Sequence, residues 1–511
     1  MAAITLTQIG HLAIALLFAK ILHEIWKSYK LAQFAKAKGC EEPLNLSGTW
    51  PFSILEGWQR VLRLIRNFQS GGDMIDDGFA HLFDRANTVK NTQFDGFNEV
   101  ATIESANIQA MLATQFKDFG MGRMRINQFY PILGNSIFSS DGRFVATLKT
   151  SSHVLTISSD WEHARSLFRP QFNREQINDM EETEQAVQQL INALGPTDND
   201  SWTQGTKLLP LLYNFTLDTA TAFLFGESVN SQAIHNSQQT SSTGTTAAKN
   251  FMRDFEIASE YMMHRIRFQS LYRLADGLQF RRAVRSIRNF TEHFVRRVLD
   301  PAAREKAAGK KYNLLAALAT STQDRTDLRN QTLAILLAGR DTTAGLLGWS
   351  FARLSLHPDI FAKLRETILK DFPPTNPSHV PINNRTTKTH TTLPVGGGPH
   401  GTAPIALAPN TTVTFSVYLL HRRKDLWGAD ALEFRPERWA ENKIPAWQFL
   451  PFSGGPRICL GQQFALTEAG YVLVRMLREF DKCEGLGDER GRLGKGREER
   501  GEEVGGDVIM T

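Results

Sequence analysis

Cysteine is scarce in this 511-residue chain, which contains Cys40, Cys459 and Cys483 and no others. Three cysteines cannot form a disulfide framework or a four-cysteine zinc site, so the main body is predicted to face a reducing, cytosolic compartment. The excess of one sign of charge is also small: 58 Lys and Arg against 53 Asp and Glu leave a net charge of +5. No basic stripe alternates with aromatic residues, so the sequence predicts no nucleic acid partner.

Long hydrophobic runs are also few, and the clearest is Ile9–Ala19, extendable to Ile4–Ile25 if polar residues within it are tolerated. Lysines follow this run and none precedes it, so the positive-inside rule predicts a lumenal N-terminus and a cytosolic body. A cleavable signal peptide is disfavoured because no basic segment precedes the run. We therefore expect residues 1–30 to anchor the chain in the endoplasmic reticulum membrane, with an amphipathic surface helix as the alternative.

The segment from Phe452 to Gly461, with the sequence Phe-Ser-Gly-Gly-Pro-Arg-Ile-Cys-Leu-Gly, is the most informative part of the chain. Its glycines, including Gly455, allow a tight loop that presents backbone N–H groups to the Cys459 sulfur. Arg457 offers a cation to a haem propionate, and Phe452 would pack beside the sulfur and exclude water. The alternative, a buried cysteine acting as a small hydrophobe, does not explain the spacing, which chance would produce about once in ten thousand chains of this size.

This loop resembles the ligand loop of the cytochrome P-450 superfamily, Phe-x-x-Gly-x-Arg-x-Cys-x-Gly. The resemblance implies haem b as cofactor, with the Cys459 thiolate as axial iron ligand.

A predicted helix over Asp327–Leu356 contains Ala338-Gly-Arg-Asp-Thr-Thr-Ala344, an unusual set because Gly costs about 1 kcal/mol in a helix and Thr is a weak helix former. The resemblance implies that Gly339 lets the helix pass close to the porphyrin. It also implies that Asp341 and Thr342 form an acid–alcohol pair that delivers protons for O–O cleavage. The alternative is a polar cluster that only caps or kinks the helix.

Further motifs match the family's propionate-binding positions. Trp161 and Arg165 are four residues apart, so they share one helix face, and they match the family's Trp-x-x-x-Arg helix. Arg385 stands where family members place another propionate partner.

The predicted fold class is mainly α with a small β part: the cytochrome P-450 fold, a single haem domain over 31–480. Apolar residues at helical spacing predict helices, and Thr411–Tyr418 reads as a strand. The predicted helices cover Ile177–Leu194, Phe251–Ile266, Phe280–Val298, Asp327–Leu356 and Gln462–Phe480.

The chain is most similar to fungal alkane- and fatty-acid-hydroxylating members, on the segments Gln331–Ala344, Leu393–Gly398 and His421–Trp427. The resemblance implies insertion of one oxygen atom of dioxygen into a C–H bond of a hydrophobic small molecule, by terminal hydroxylation of n-alkanes or fatty acids. Electrons would come from NADPH through a flavoprotein reductase, for which the basic cluster His421–Lys424 is a candidate docking site.

The chain departs from the family at three places. No Glu-x-x-Arg helix follows Leu364–Phe372, near residue 373, so we expect Arg438 to be a buried cation without its partners. Residues 143–160 read as an insertion. Residues 481–511 are rich in Gly, Arg and Glu and are expected to form a flexible tail.

Two hypotheses explain these departures: a mis-spliced or mispredicted transcript, or a degenerate paralogue that cannot hold haem and has no catalytic activity. A haem-thiolate isomerase or dehydratase is a further alternative, but it would not need Asp341 and Thr342.

Overall fold

The computed structural model describes most of the chain. The described residues are 6–47, 55–59, 62, 63, 66, 79–93, 98–141, 160–172, 180–195, 203, 206–236, 243–302, 313–370, 383–441, 444–486 and 507–510. The expected insertion at 143–160, apart from Asp160, and the departure near residue 373 lie outside them.

The chain divides into two compact units, each built from segments distant in sequence. Unit 1 comprises Met1–Gly122 and Pro381–Arg457, and unit 2 comprises Arg123–Val380 and Ile458–Thr511. The sequence pattern predicted one domain over 31–480 and gave no sign of this division.

The α-helices with defined bounds are, in chain order, α1 (Leu6–Ala37), α2 (Ser105–Gln109), α3 (Arg123–Leu133), α4 (Asp160–Phe168), α5 (Glu181–Leu194), α6 (Leu208–Phe225), α7 (Ser231–Asn236), α8 (Thr243–Arg267), α9 (Leu278–Leu299), α10 (Leu314–Ser321), α11 (Arg325–Leu356), α12 (Pro358–Lys370), α13 (Val417–Leu420), α14 (Lys424–Trp427), α15 (Arg438–Glu441) and α16 (Gln462–Glu479). All five predicted helices are confirmed, as α5, α8, α9, α11 and α16.

The strands are, in chain order, β1 (Leu44–Asn45), β2 (Thr88–Thr92), β3 (Asn98–Thr102), β4 (Phe119–Gly120), β5 (Asn383–Thr387), β6 (Thr391–Gly397), β7 (Ala403–Leu407), β8 (Thr412–Phe415), β9 (Cys483–Leu486) and β10 (Asp507–Met510). Unit 1 holds a six-stranded sheet in the order β1-β2-β3-β8-β5-β4 and the hairpin β6–β7. The β1–β2 and β3–β8 pairs are parallel and the other pairs of this sheet are antiparallel. Thr recurs in β2, β5 and β8, and β2 and β8 also contain Val, which suits a half-buried pleated surface. The strand predicted at Thr411–Tyr418 is confirmed over Thr412–Phe415 as β8, whereas Val417 and Tyr418 begin helix α13.

Helix α11 is the central helix of unit 2. It begins at Arg325 because the Asp324 carboxylate accepts the backbone N–H groups of Thr326 and Asp327, at 2.8 and 3.3 Å. It packs along α6, and Gly348 permits a close approach, since a Cβ there would lie 3.0 Å from Leu209 Cδ1. The hydrophobic core of this unit is contributed by α5, α6, α11, α12 and α16 together with β9 and β10.

The C-terminal segment differs from the flexible tail predicted over 481–511. Strands β9 and β10 pair antiparallel, with Met510 opposite Cys483, and both of these side chains are buried in the core of unit 2. The prediction considered only the composition of the segment. The two short strands instead obtain their stability from burial of apolar side chains across a long sequence separation.

Candidate active site

The segment leading to Cys459 belongs to unit 1, and a glycine fixes its shape. Gly455 has φ +66°, and a Cβ there would lie 1.8 Å from the carbonyl oxygen of Leu112. Leu112 lies in a π-helical turn, Ala110–Thr114, that follows α2. Arg457 ends a 3₁₀ turn that begins at Gly455, and Phe452 and Arg457 are both half-buried.

Cys459 itself belongs to unit 2, immediately before the N-terminus of α16, for which Gly461 is the N-cap residue. The Gly461 backbone N–H donates a hydrogen bond to the Cys459 sulfur, as expected from the sequence. The Cys459 residue is exposed to solvent, yet protein atoms crowd its sulfur, so burial raises the pKa of the thiol. The Gly461 N–H and the Arg165 cation oppose this shift, because both stabilise the thiolate and so lower the pKa.

Helix α4 brings two of the predicted residues to the Cys459 loop. The Arg165 guanidinium donates from Nη1 to the carbonyl oxygen of Ile458, the residue before Cys459, at 3.0 Å. Its Cζ lies 5.8 Å from the centroid of the buried Trp161 ring, as the four-residue spacing on one helix face predicts. Unit 2 therefore places Trp161, Arg165, Cys459 and Gly461 in one neighbourhood.

The acid–alcohol pair lies in the middle of α11. Burial raises the pKa of Asp341, although the Arg340 cation opposes this shift by donating from Nη1 to Asp341 Oδ1 at 2.9 Å. The exposed Thr342 donates from Oγ1 to the carbonyl oxygen of Ala338 at 2.6 Å, so its hydroxyl proton is engaged by its own helix.

Gly339, the residue expected to let α11 pass close to a porphyrin, lies beside helix α6. A Cβ at this position would meet the Ala220 Cβ of α6 at 3.7 Å, an ordinary packing distance. The missing side chain therefore lies on the α6 side of α11.

Sequence reasoning missed two ionisable groups in unit 2. Arg340 is buried, with its guanidinium Cζ 4.6 Å from the Tyr213 ring centroid and Nη2 3.7 Å from Glu256. Glu468, on α16, is buried, and the Thr219 hydroxyl is its only hydrogen-bond partner among the described residues; burial raises its pKa to about 7. A charged residue inside an otherwise apolar helix is the signal that could have identified both.

Arg385 lies on β5 in unit 1, where it is buried. It donates from Nη1 to the backbone oxygen of Asn384 at 2.8 Å, and its guanidinium lies 5.8 Å from the Phe415 ring centroid. The family resemblance predicts that Arg385 binds a haem propionate.

The expectation that Arg438 would lack partners is wrong. Its guanidinium donates to the backbone oxygens of Trp427 and Asp430, at 2.9 and 2.7 Å, and pairs with the Asp430 carboxylate at 3.2 Å. This ion pair lowers the pKa of Asp430. A partner eight residues away on the same segment thus neutralises the buried cation.

Two basic residues of the cluster His421–Lys424 have partners within the chain. Arg423 pairs with Glu104 and Asp425, at 3.0 and 2.6 Å, and the Arg422 guanidinium lies 3.5 Å from the Tyr418 ring centroid. Lys424 is exposed. This leaves less free positive charge for docking an acidic protein than the sequence suggested.

One helix of the described chain, Leu208–Phe225, is long and apolar enough to cross a membrane, but 72% of it is buried inside the protein. That burial is typical of a core helix. The anchor predicted for 1–30 falls mostly on α1, where the large apolar side chains of Ile14, Phe18 and Ile25 are 60–67% exposed.

Comparison with known proteins finds matches along most of the chain. The sequence model of the family described as Cytochrome P450 matches residues 133–385 and 404–485. Cytochrome P450 monooxygenase g430 of Fusarium sp is 38% identical over 506 residues, which cover 91% of this chain and 84% of that protein. Cytochrome P450 52A13 of Debaryomyces hansenii is 38% identical, with coverages of 77% and 78%. Cytochrome P450 52-E3 of Starmerella bombicola is 34% identical, and 88% of each chain is covered.

Proposed function

Since the chain belongs to the cytochrome P450 family, we propose that it is a haem-thiolate monooxygenase that hydroxylates the terminal carbon of n-alkanes or fatty acids. The observation that carries the proposal is the neighbourhood of Cys459, where a backbone N–H and an arginine both favour the thiolate. The likeness to fungal hydroxylating members, and the names of two relatives as Cytochrome P450 52, support the substrate class.

The residues of unit 2 fit a thiolate-ligated haem. The exposed residue Cys459 stands at a helix N-terminus, where the partial positive charge of the helix favours an anion. Burial of its sulfur raises the pKa of the thiol, and a bound iron would take the place of the thiol proton. When bound, such a haem supplies the oxygen-activating chemistry that C–H hydroxylation requires.

Four residues are proposed to hold the two haem propionates. They are the residues that match the family's propionate-binding positions, Trp161, Arg165, Arg385 and Arg457. Guanidinium groups suit this role because they form paired, charge-assisted hydrogen bonds with carboxylates. Phe452 and Gly455 would shape the loop that excludes water from the sulfur.

Asp341 and Thr342 are proposed to move protons. Burial raises the pKa of Asp341, which favours the protonated carboxyl that a proton donor requires. The Thr342 hydroxyl, which donates to Ala338, retains lone pairs that can accept a hydrogen bond from Asp341 or from water. Arg340 tunes this step because its cation stabilises the ionised Asp341.

The proposed partners are an NADPH-dependent flavoprotein reductase, dioxygen and a hydrophobic substrate. We place the chain in the endoplasmic reticulum membrane, with α1 as its anchor and the catalytic part in the cytosol. The apolar side chains that α1 exposes and the lysines that follow its apolar run support this arrangement.

The first test is the carbon-monoxide difference spectrum of the reduced full-length chain, expressed in yeast membranes. A Soret band typical of thiolate-ligated ferrous haem is expected for the wild type and for Cys40→Ser. Cys459→Ser should lose the band while the protein remains present. Absence of the band from the wild type, with protein present, would support the inactive paralogue instead.

The second test measures products. Membranes that show the band are supplied with reductase, NADPH and either dodecane or dodecanoate, and products are identified by mass spectrometry. Terminal alcohols support the proposed reaction, and hydroxylation elsewhere on the chain, or none, contradicts it.

A further inference from the structure

Arg125 on α3 is a cation whose charge nothing in the described structure neutralises. Its Nε is buried and has no hydrogen-bond acceptor among the described residues. The Cζ atom of its guanidinium lies 5.3 Å from the centroid of the Phe129 ring. Burial lowers the pKa of this guanidinium, and no neighbouring charge contributes to the shift.

Other arginines of unit 2 show how the fold treats a buried guanidinium that serves structure. Arg265 donates to the backbone oxygens of Gln128 and Asn127, at 2.8 and 2.7 Å, and pairs with the Asp276 carboxylate. Arg340 pairs with Asp341. Arg125 is half-buried, and a partly dehydrated charge without a counter-ion is destabilising, so a ligand that provides the counter-ion would offset this cost.

The position of Arg125 suits an amphiphilic ligand. Helix α3 packs against α8, α9 and α11, and α11 carries Asp341 and Thr342. Arg125 and Phe129 are four residues apart, so one helix face presents a cation beside an aromatic ring. A carboxylate would neutralise the guanidinium, and an apolar chain attached to it would contact the ring.

We propose that Arg125 binds a carboxylate in this half-buried position, contributed either by a fatty-acid substrate or by a haem propionate. The inference rests on the proposed function and makes it more specific, because an n-alkane cannot neutralise Arg125 whereas a fatty acid can.

The test compares the full-length wild type with Arg125→Gln, Arg125→Lys and the control Arg123→Gln, which removes an exposed arginine from the same helix. Dodecanoate and its uncharged methyl ester are titrated by calorimetry, which needs no reductase or turnover. Haem content from the carbon-monoxide spectrum tests the proposed function separately, and the rate of haem transfer to apomyoglobin reports on the propionate.

If the substrate provides the carboxylate, Arg125→Gln weakens dodecanoate binding about ten- to a hundred-fold and leaves the ester unchanged. Arg125→Lys should restore part of the affinity. If a propionate is the partner, Arg125→Gln instead speeds haem loss about ten-fold or more, and Arg123→Gln does not. Wild-type dodecanoate affinity together with a wild-type haem-loss rate would overturn the proposal, as would an equal weakening of both ligands without faster haem loss.

The same variants separate ligand binding from a structural role. Because Arg125 lacks a counter-ion, Arg125→Gln should leave the ligand-free unfolding midpoint unchanged or raise it. A fall in this midpoint with normal binding of dodecanoate and haem would assign Arg125 to packing and refute the proposal.

Discussion

The left-handed backbone at Gly455 and the carbonyl of Leu112 leave no room for a side chain. Gly455→Ala would therefore strain the backbone and force the loop away from the π-helical turn, and we expect a loss of about 2 kcal/mol or more in the free energy of unfolding. Equilibrium denaturation with guanidinium measures it. Gly470→Ala is the control, since nothing lies within 4 Å of its Cβ and alanine favours a helix. Equal stability of the two variants would contradict the argument.

Glu468 makes stability depend on pH. Its folded-state pKa is raised from 4.5 to about 7, so the folded chain holds a proton that the unfolded chain releases between these values. The contribution of Glu468 to stability is therefore fully present below pH 4.5, falls as pH rises through this window, and is lower by about 3 kcal/mol above pH 7. Glu468→Gln should remove this loss, so that it is more stable than the wild type at pH 8.

Denaturation at pH 5 and pH 8 tests the Glu468 prediction. The control is Glu479→Gln, an exposed acid on the same helix, which should keep the wild-type pH dependence. An unchanged slope in Glu468→Gln would show that the carboxyl is not the cause.

At the scale of single elements, β10 protects Cys483. Met510 lies opposite this cysteine across the β9–β10 pair, and burial raises the pKa of the Cys483 thiol to about 12. Met510→Ser should weaken the pairing and increase the rate of thiol labelling at Cys483 at least ten-fold, because the thiolate is the reacting form. Mass spectrometry of labelled peptides measures each cysteine, with Cys40 as the internal reference. Labelling that stays slow would mean that β10 does not cover Cys483.

The elements also show what the sequence could predict. Periodicity located α9 within two residues, as Phe280–Val298 against Leu278–Leu299, because one apolar helix face must be buried. It could not find β10, whose partner strand lies more than twenty residues earlier. Nor could it find the ion pair of Arg438 with Asp430, because a family motif directed attention to a glutamate elsewhere.

The candidate site also contains features that local sequence predicts and features that depend on distant residues. Local geometry was predictable: the Gly461 N–H reaches the Cys459 sulfur, and Arg165 shares a face with Trp161. The environment of the side chains was not predictable, because the contacts of Arg340 with Tyr213 and Glu256, and the lack of an acceptor for Arg125 Nε among the described residues, depend on which groups of other helices approach them.

At the scale of the whole molecule, we expect α1 to hold the chain at a membrane. Its 32 residues span about 48 Å, more than the roughly 30 Å hydrocarbon core of a bilayer. Full-length protein in yeast microsomes should resist extraction by alkaline carbonate, and a variant lacking residues 2–30 should be mostly released. The control replaces the exposed surface residue Leu432 with serine, which should leave extraction unchanged.

The same preparation tests orientation. Lysines at 20, 27, 30, 36 and 38 follow the apolar run, so the positive-inside rule places the N-terminus in the lumen. An N-glycosylation acceptor tag added before Met1 should be modified, whereas the same tag after Thr511 should not. Release of the full-length chain by carbonate would show that α1 lies on the membrane surface or away from it, and modification of only the C-terminal tag would reverse the proposed orientation.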